Sequence, residues 1–309
     1  MKKIAITGAN GFVGRHLTSY LSSFPYEIVC LTSSTVSISC PHINYVRVDY
    51  ADSSSIISAL VGCDALVHLA SVAHINTFDK SVSNSFRFLD HNLTILSAVL
   101  TCLRFTKISH FIFLSSIGVY GDEFVSSNYI IDEASPYNPC HPYSLSKIIC
   151  EHVLTLHCSA LDINWTILQP PLVYSPDAPG NFSRIYMFFS KTPILPFAGL
   201  NKTRSFISVG NLCSAIHTCI HNPLVFNDIF ILSDTVDISL SRIEFILSRH
   251  FNRRFYFSFP VCFLLQPLFL VTPIARAYWN KLNANISVSS DKFVLKTGWK
   301  PPEPPFSCF

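Results

Sequence analysis

Apolar and polar positions along the first half of the chain alternate between two kinds of segment. Short runs rich in β-branched and aromatic residues occur at 3–7 (KIAIT), 27–31 (EIVCL), 45–49 (YVRVD), 65–69 (ALVHL), 110–115 (HFIFLS) and 165–169 (WTILQ). Between them, residues 13–21, 53–61, 91–103 and 144–158 place apolar side chains at helical spacing. Repeated strand–helix units predict a Rossmann-like α/β fold, a doubly wound parallel sheet with crossover helices on both faces. After Pro170-Pro171 the pattern loosens and prolines accumulate at 176, 179, 193 and 196, leaving a helix over 211–221 and a strand over 228–233. The expected organisation is a doubly wound domain over 1–170 and a smaller, mixed domain over 171–309, some of whose strands return to the first sheet. The proline-rich run at 298–305 (GWKPPEPP) has to be extended.

Composition narrows the function classes. Of 309 residues 49% are hydrophobic and 13% charged, enough to build a large core and the opposite of a disordered chain. The net charge of +3 is too small and too little clustered for a nucleic-acid partner. The 11 cysteines are scattered without a CxxC pair, so no zinc ribbon or redox pair is expected. The start, MKKIAITGANGFVG, lacks the apolar stretch of an export signal, and the cysteines read as reduced core fillers in a cytoplasmic protein. Residues 255–275 carry no formal charge and match a bilayer crossing in length, but Pro260, Pro267 and Pro273 would break a spanning helix. Short apolar helices packed on the second domain are the preferred reading there, with peripheral membrane contact the alternative.

Three constellations carry chemistry. Thr7-Gly8-Ala9-Asn10-Gly11-Phe12-Val13-Gly14 follows the first strand and opens the first helix. Gly8 suits a tight turn, Gly11 lets backbone approach a pyrophosphate, and Gly14 permits close helix–sheet packing. The helix N-terminus adds free N–H donors and positive dipole charge. The second is Tyr143-Ser-Leu-Ser-Lys147, an i, i+4 pair whose ammonium favours the phenolate and so tunes a proton carrier. The third is Ser115-Ser116, after the fifth strand, where a hydroxyl can bond a substrate oxygen. Thr32, 18 residues beyond Gly14, stands where an acid would hold the ribose 2′-OH, and Ser33 and Ser34 follow it, with neither acid nor arginine. The cofactor is therefore expected to be NAD or NADP, with a slight lean to NADP. Asp49 could cap the adenine amino group.

Together these segments resemble an extended short-chain dehydrogenase/reductase of the NAD-dependent epimerase/dehydratase family, which acts on nucleotide sugars. Similarity continues through DALVHLASVAH at 64–74, Asn92, SSIGVYG, QPPLVYSPDAPGNF at 169–182, NKTRSFISVGNL at 201–212 and TGWKPP at 297–302. The latter half is most similar to a bacterial UDP-glucose 4-epimerase-like subgroup that includes 4-keto reductases of surface-polysaccharide sugar synthesis. The resemblance implies Tyr143 as acid/base, Lys147 as its modulator and nicotinamide-ribose ligand, and Ser116, with Ser115 beside it, orienting the C4 oxygen. It implies Gly8, Asn10, Gly11, Phe12, Val13, Gly14, Thr32, Asp49, Leu69 and Ala70 at the cofactor, and Asn181 and Arg204 at the nucleotide diphosphate. A homodimer is left open.

Departures sharpen the reading. Family 4,6-dehydratases carry an Asp-Glu pair where Ile117 and Gly118 stand, so elimination lacks a catalyst here. Gln169 replaces a usual arginine and Ser175 a usual glycine. Cys213, His217 and His221 are spaced like a ligand stripe, but a core-facing helix collects the same residues, and no metal is expected. The expected activity is oxidoreduction at C4 of a UDP-hexose or UDP-N-acetylhexosamine, by a 4-epimerase or a 4-keto reductase. The alternative is a non-catalytic nucleotide-sensing or scaffold protein on the same fold.

Overall fold

The computed structural model describes residues 1–34, 41–72, 82–121, 129–191, 194–195, 201–251, 257–258 and 285–309. The first half runs β1 (Lys2–Thr7), α1 (Phe12–Leu21), β2 (Tyr26–Thr32), β3 (Ile43–Arg47), α2 (Ser53–Leu60), β4 (Ala65–His68), α3 (Val82–Cys102), β5 (His110–Leu114), β6 (Ile130–Ile131), α4 (Pro142–Ala160) and β7 (Asn164–Gln169). It continues with β8 (Leu172–Tyr174), α5 (Asn181–Lys191), β9 (Ile194–Leu195), β10 (Thr203–Arg204), β11 (Phe206–Ser208), α6 (Val209–Cys219) and β12 (Asp228–Ile231). Last come β13 (Ile238–Ser239), α7 (Leu240–His250), β14 (Phe257–Ser258), β15 (Ser287–Val288) and a closing helix, Asp291–Thr297.

Seven strands form one parallel sheet in the order β3-β2-β1-β4-β5-β7-β12. The strand order reverses beside β1, whose neighbours are β2 and β4, and this opens a crevice at the carboxyl ends of β1 and β4. β12, from beyond residue 171, joins the edge next to β7, as the sequence pattern allows.

Both faces of the sheet are buried, which explains why its strands read as continuous apolar runs. Ile4, Ile6, Ile28, Cys30, Ala65, Val67, Ile112, Leu168 and Phe230 pack on one face against Leu17 and Leu21 of α1 and Leu212 and Ile216 of α6. Ala5, Val29, Leu31, Leu66, Phe111, Phe113 and Ile167 pack on the other against Ile56, Leu96, Leu100, Cys150 and Leu154. Cys30, Cys63, Cys102, Cys150, Cys158, Cys213 and Cys219 are buried thiols, and no disulfide forms among the described residues.

Several boundaries differ from expectation. β3 starts and ends two residues early because its pairing with β2 stops at Thr32 opposite Arg47. α3 starts at Val82 rather than near 91. Its first turns carry Ser and Asn that read as loop in the sequence, and helix α4 supplies the packing, with Phe88 edge-on to Tyr143 at 6.2 Å. The tail enters no helix or strand after Gly298. It is pinned where Phe306 N donates to the Tyr174 hydroxyl (2.7 Å) and Glu303 N to Asn211 Oδ1 (2.9 Å). Among the described residues no helix is long and apolar enough to cross a membrane. Residues 255–275, apart from the two of β14, lie outside the described residues.

Candidate active site

The glycine turn is shaped by backbone sterics. Gly8 has φ +68°, and a Cβ there would stand 2.7 Å from Ala70 N. Gly14 is tighter, since a Cβ would fall onto the Gly8 carbonyl and lie 2.7 Å from Ala9 Cα. Gly11 caps α1 without any side-chain bond to the helix, so the first-turn N–H groups stay open to an anion. A Cβ on Gly11 would approach only Gly8 O, at 3.1 Å. Phe12 and Val13 turn their side chains onto the core, and neither lines the cavity over the turn.

Over this turn lies a cavity of about 670 Å³, lined by Gly8, Asn10, Gly11, Thr32, Asp49, Ala70 and Ser71 among others. Asn10 Nδ2 donates to Ser34 Oγ (3.0 Å), and Thr32 Oγ1 donates to Ser34 O (2.6 Å), so the end of β2 folds over the turn. Asp49 Oδ1 accepts from Ala51 N (2.9 Å), a turn role that coexists with its place on the cavity wall. Leu69 N donates to Thr7 O (3.2 Å), which sets the strand-end backbone against Gly8. The cavity, the glycine turn and the uncapped helix fit an extended dinucleotide.

Tyr143 and Lys147 lie on the first turns of α4, which His141 caps by accepting from Tyr143 N (3.1 Å) and Pro142 pre-sets at N1. Lys147 Nζ is buried, donates to Leu114 O at the end of β5 (2.8 Å) and stands 5.7 Å from the centre of the Tyr143 ring. Burial lowers the Lys147 ammonium to about 8, so it remains charged at neutral pH. Burial raises the Tyr143 phenol, while the Ser71 side chain against it acts in the opposite direction. Ser71, on the cavity wall, stands near the phenol without forming a hydrogen bond to it. Asn92 anchors this corner, accepting from Val72 N (2.8 Å) and donating to Ser146 Oγ (3.1 Å).

The two serines part company. Ser116 caps a 3-10 turn, Ile117–Tyr120, by accepting from Gly118 N (3.1 Å), and is half-buried. Ser115 is buried beside the Glu151 carboxyl. Sequence reasoning missed Glu151, which stands at i+4 from Lys147 and, in hindsight, shares its helix face. It accepts from the Tyr137 hydroxyl (2.7 Å) and from Gln169 Nε2 (2.9 Å), and burial raises its pKa. Gln169 also accepts from the Tyr120 hydroxyl (2.7 Å). Its place in this interior network explains how glutamine can stand where the family has arginine. Ser175, the other departure, is buried with its hydroxyl on Asp177, which also holds His16.

Asn181 opens α5, and Arg204 lies half-buried on β10, bridged to Ile286. Arg204 does not line the cavity over the glycine turn. The suspected ligand stripe dissolves. α6 ends at Cys219, His221 follows it with φ +57°, and His217 packs 4.0 Å from the Phe24 ring.

His68, at the end of β4, is buried and bonded to Thr7 Oγ1 (3.0 Å). Burial, then the Lys147 charge, lowers it to about 3. An unfolded histidine takes up its proton near pH 6.5, about 3.5 pH units earlier. The stabilisation is therefore whole above pH 6.5 and is lost as pH falls toward 3. Denaturant melts between pH 6.5 and 4.5 should show His68→Leu losing less stability per pH unit than the parent, by up to about 1.4 kcal/mol. Parallel curves would contradict a neutral His68.

A family model for the NAD dependent epimerase/dehydratase family matches residues 4–229. The chain belongs to this family. A UDP-glucose 4-epimerase of Vibrio cholerae is 27% identical over 307 residues, covering 98% of this chain and 92% of that protein. Among solved structures, the UDP-glucuronic acid 4-epimerase of Bacillus cereus in complex with NAD superposes with a TM-score of 0.74 at 18% identity, over 97% of this chain and 94% of that one. RMD from Pseudomonas aeruginosa, complexed with NADPH, gives 0.75 at 19% identity, over 100% and 96%. These two show the shared fold.

Proposed function

We propose that the protein catalyses NAD(P)-dependent oxidoreduction at C4 of a nucleotide sugar of the UDP-hexose or UDP-N-acetylhexosamine type. The observation that carries this reading is the placement of Tyr143 and Lys147. One helix presents both, Lys147 is tied to the end of β5, and Ser71 of the cavity wall lies near the phenol. The match to a UDP-glucose 4-epimerase along nearly the whole chain supports the substrate class.

A bound nicotinamide supplies the hydride acceptor and donor. Tyr143 moves the proton of the C4 hydroxyl, Lys147 stabilises the phenolate, and Ser116 orients the C4 oxygen. Gly8, Gly11 and the α1 N-terminus hold the pyrophosphate, and Asp49, Leu69 and Ala70 border the adenosine side. The strand-end turn offers only Ile117 and Gly118 where elimination would need an acid/base pair. The chemistry therefore ends as epimerisation or as reduction of a 4-keto sugar, in supply of surface-polysaccharide sugars.

Two assays separate these outcomes. An epimerase releases NAD on denaturation and interconverts C4 epimers without added cofactor. A reductase consumes NADPH in step with a 4-keto-6-deoxy sugar. A protein that binds both ligands and does neither is the non-catalytic alternative.

Arg204, with Asn181, is assigned to the diphosphate, which suits a guanidinium. Arg204→Ala is expected to weaken UDP binding about tenfold or more while NAD(P) binding changes little, as read by calorimetry. Unchanged UDP affinity would remove Arg204 from the site.

A further inference from the structure

The sequence leaves the end of β2 without an acid or a cation, but the fold brings a cation there from the next strand. In the parallel pairing of β2 with β3, Thr32 stands directly beside Arg47. Side chains alternate along a strand, and neighbours in register share a face. Ile28 and Cys30 of β2, and Ile43 and Tyr45 of β3, pack on the α1 side. Thr32 and Arg47 continue those two series, which puts the guanidinium on the side of the glycine turn. Both residues line the cavity of about 670 Å³, together with Ser33 and Ser34. Arg47 is exposed on an edge strand and makes no ion pair among the described residues. The other charged or titratable groups on that wall are Asp49, which accepts from Ala51 N, Tyr50 and His91. Residues 35–40, between the two strands, contain no acid.

We propose that Arg47, with the hydroxyls of Ser33 and Ser34, forms a binding site for the 2′-phosphate of a phosphorylated dinucleotide. The ribose of a dinucleotide in this fold faces the end of β2, where a carboxylate would repel a 2′-phosphate and hydroxyls would not. A guanidinium offers paired donors to phosphate oxygens and keeps its charge at any working pH. The inference rests on the reading that the cavity holds a nicotinamide dinucleotide, and it goes further by selecting NADP over NAD.

The test measures binding, not turnover. NADPH, NADH, 2′,5′-ADP and 5′-ADP are titrated by calorimetry, at fixed low salt, into the parent and Arg47→Met, with a thermal melt to verify folding. The parent should bind 2′,5′-ADP at least tenfold more tightly than 5′-ADP, and NADPH more tightly than NADH. Arg47→Met should lose about tenfold to a hundredfold for the two 2′-phosphorylated ligands and change little for the other two. Equal losses for all four ligands, or no loss for any, would overturn the site while leaving the dinucleotide reading intact. A parent that prefers NADH would do the same. A folded parent that binds neither NADPH nor NADH would instead defeat the dinucleotide reading itself, and the Arg47 site with it.

Discussion

Tyr143→Phe is expected to keep cofactor and UDP affinity and to lose at least about a hundredfold in turnover, the usual size of an acid/base contribution. The substitution removes one oxygen from a ring that Phe88 already holds edge-on, so packing survives. The lost group is the phenol that lies near Ser71 of the cavity wall, on a ring 5.7 Å from the Lys147 ammonium. Among the described residues, three neighbouring titratable groups are each committed elsewhere or neutral. Burial holds His68 neutral, Lys147 is tied to Leu114 O, and the Glu151 carboxyl is engaged by Tyr137 and Gln169. Steady-state kinetics beside calorimetry on the same preparation checks the split, and unchanged turnover would take Tyr143 out of the chemistry.

Gly14→Val should be the most damaging change in the glycine turn. Even a methyl group at this position strikes the Gly8 carbonyl and Ala9 Cα, which are backbone atoms that cannot rotate away. Overpacking a core commonly costs about 1–3 kcal/mol, and a clash with fixed backbone belongs at or above the upper end. The displaced turn also closes the pyrophosphate approach, so dinucleotide binding should vanish with the stability. Gly11→Val separates the two effects. A side chain there meets only Gly8 O, at 3.1 Å, so the variant should fold while the dinucleotide is blocked. Urea denaturation and NAD(P)H titration of both variants decide the matter. A Gly14→Val protein with parental stability and affinity would show that the turn is not the constraint described.

The parts legible in the sequence are those whose physics is local. Buried parallel strands announce themselves as apolar runs, and the glycine spacing of residues 8–14 together with the i, i+4 step from Tyr143 to Lys147 needs no tertiary knowledge. What the sequence hid depends on contacts distant along the chain. The early start of α3 at Val82 is not signalled by its own Ser- and Asn-rich first turns. Glu151 gains meaning only when β7 brings Gln169 within 2.9 Å of it. Gln169, which reads as a gap in a substrate pocket, is a fully buried member of that network. Ser115 and Ser116 look interchangeable in sequence, yet the strand end turns one inward and leaves the other capping a turn. The role proposed for Arg47 emerges only through strand register, because 14 residues lie between it and the Thr32 it adjoins.

The central claim is that C4 of a nucleotide sugar exchanges hydrogen with a nicotinamide under the control of Tyr143. It is tested most directly by isotope. The protein, loaded with NAD or NADP, is mixed with UDP-hexoses, UDP-N-acetylhexosamines and their 6-deoxy forms carrying deuterium at C4, and single turnovers are quenched for mass spectrometry of the nucleotide. The account predicts deuterium on the nicotinamide from at least one of these sugars, and at least about a hundredfold slower transfer in Tyr143→Phe. A parent protein that binds both cofactor and UDP-sugars, yet moves no deuterium from any of them, would contradict it.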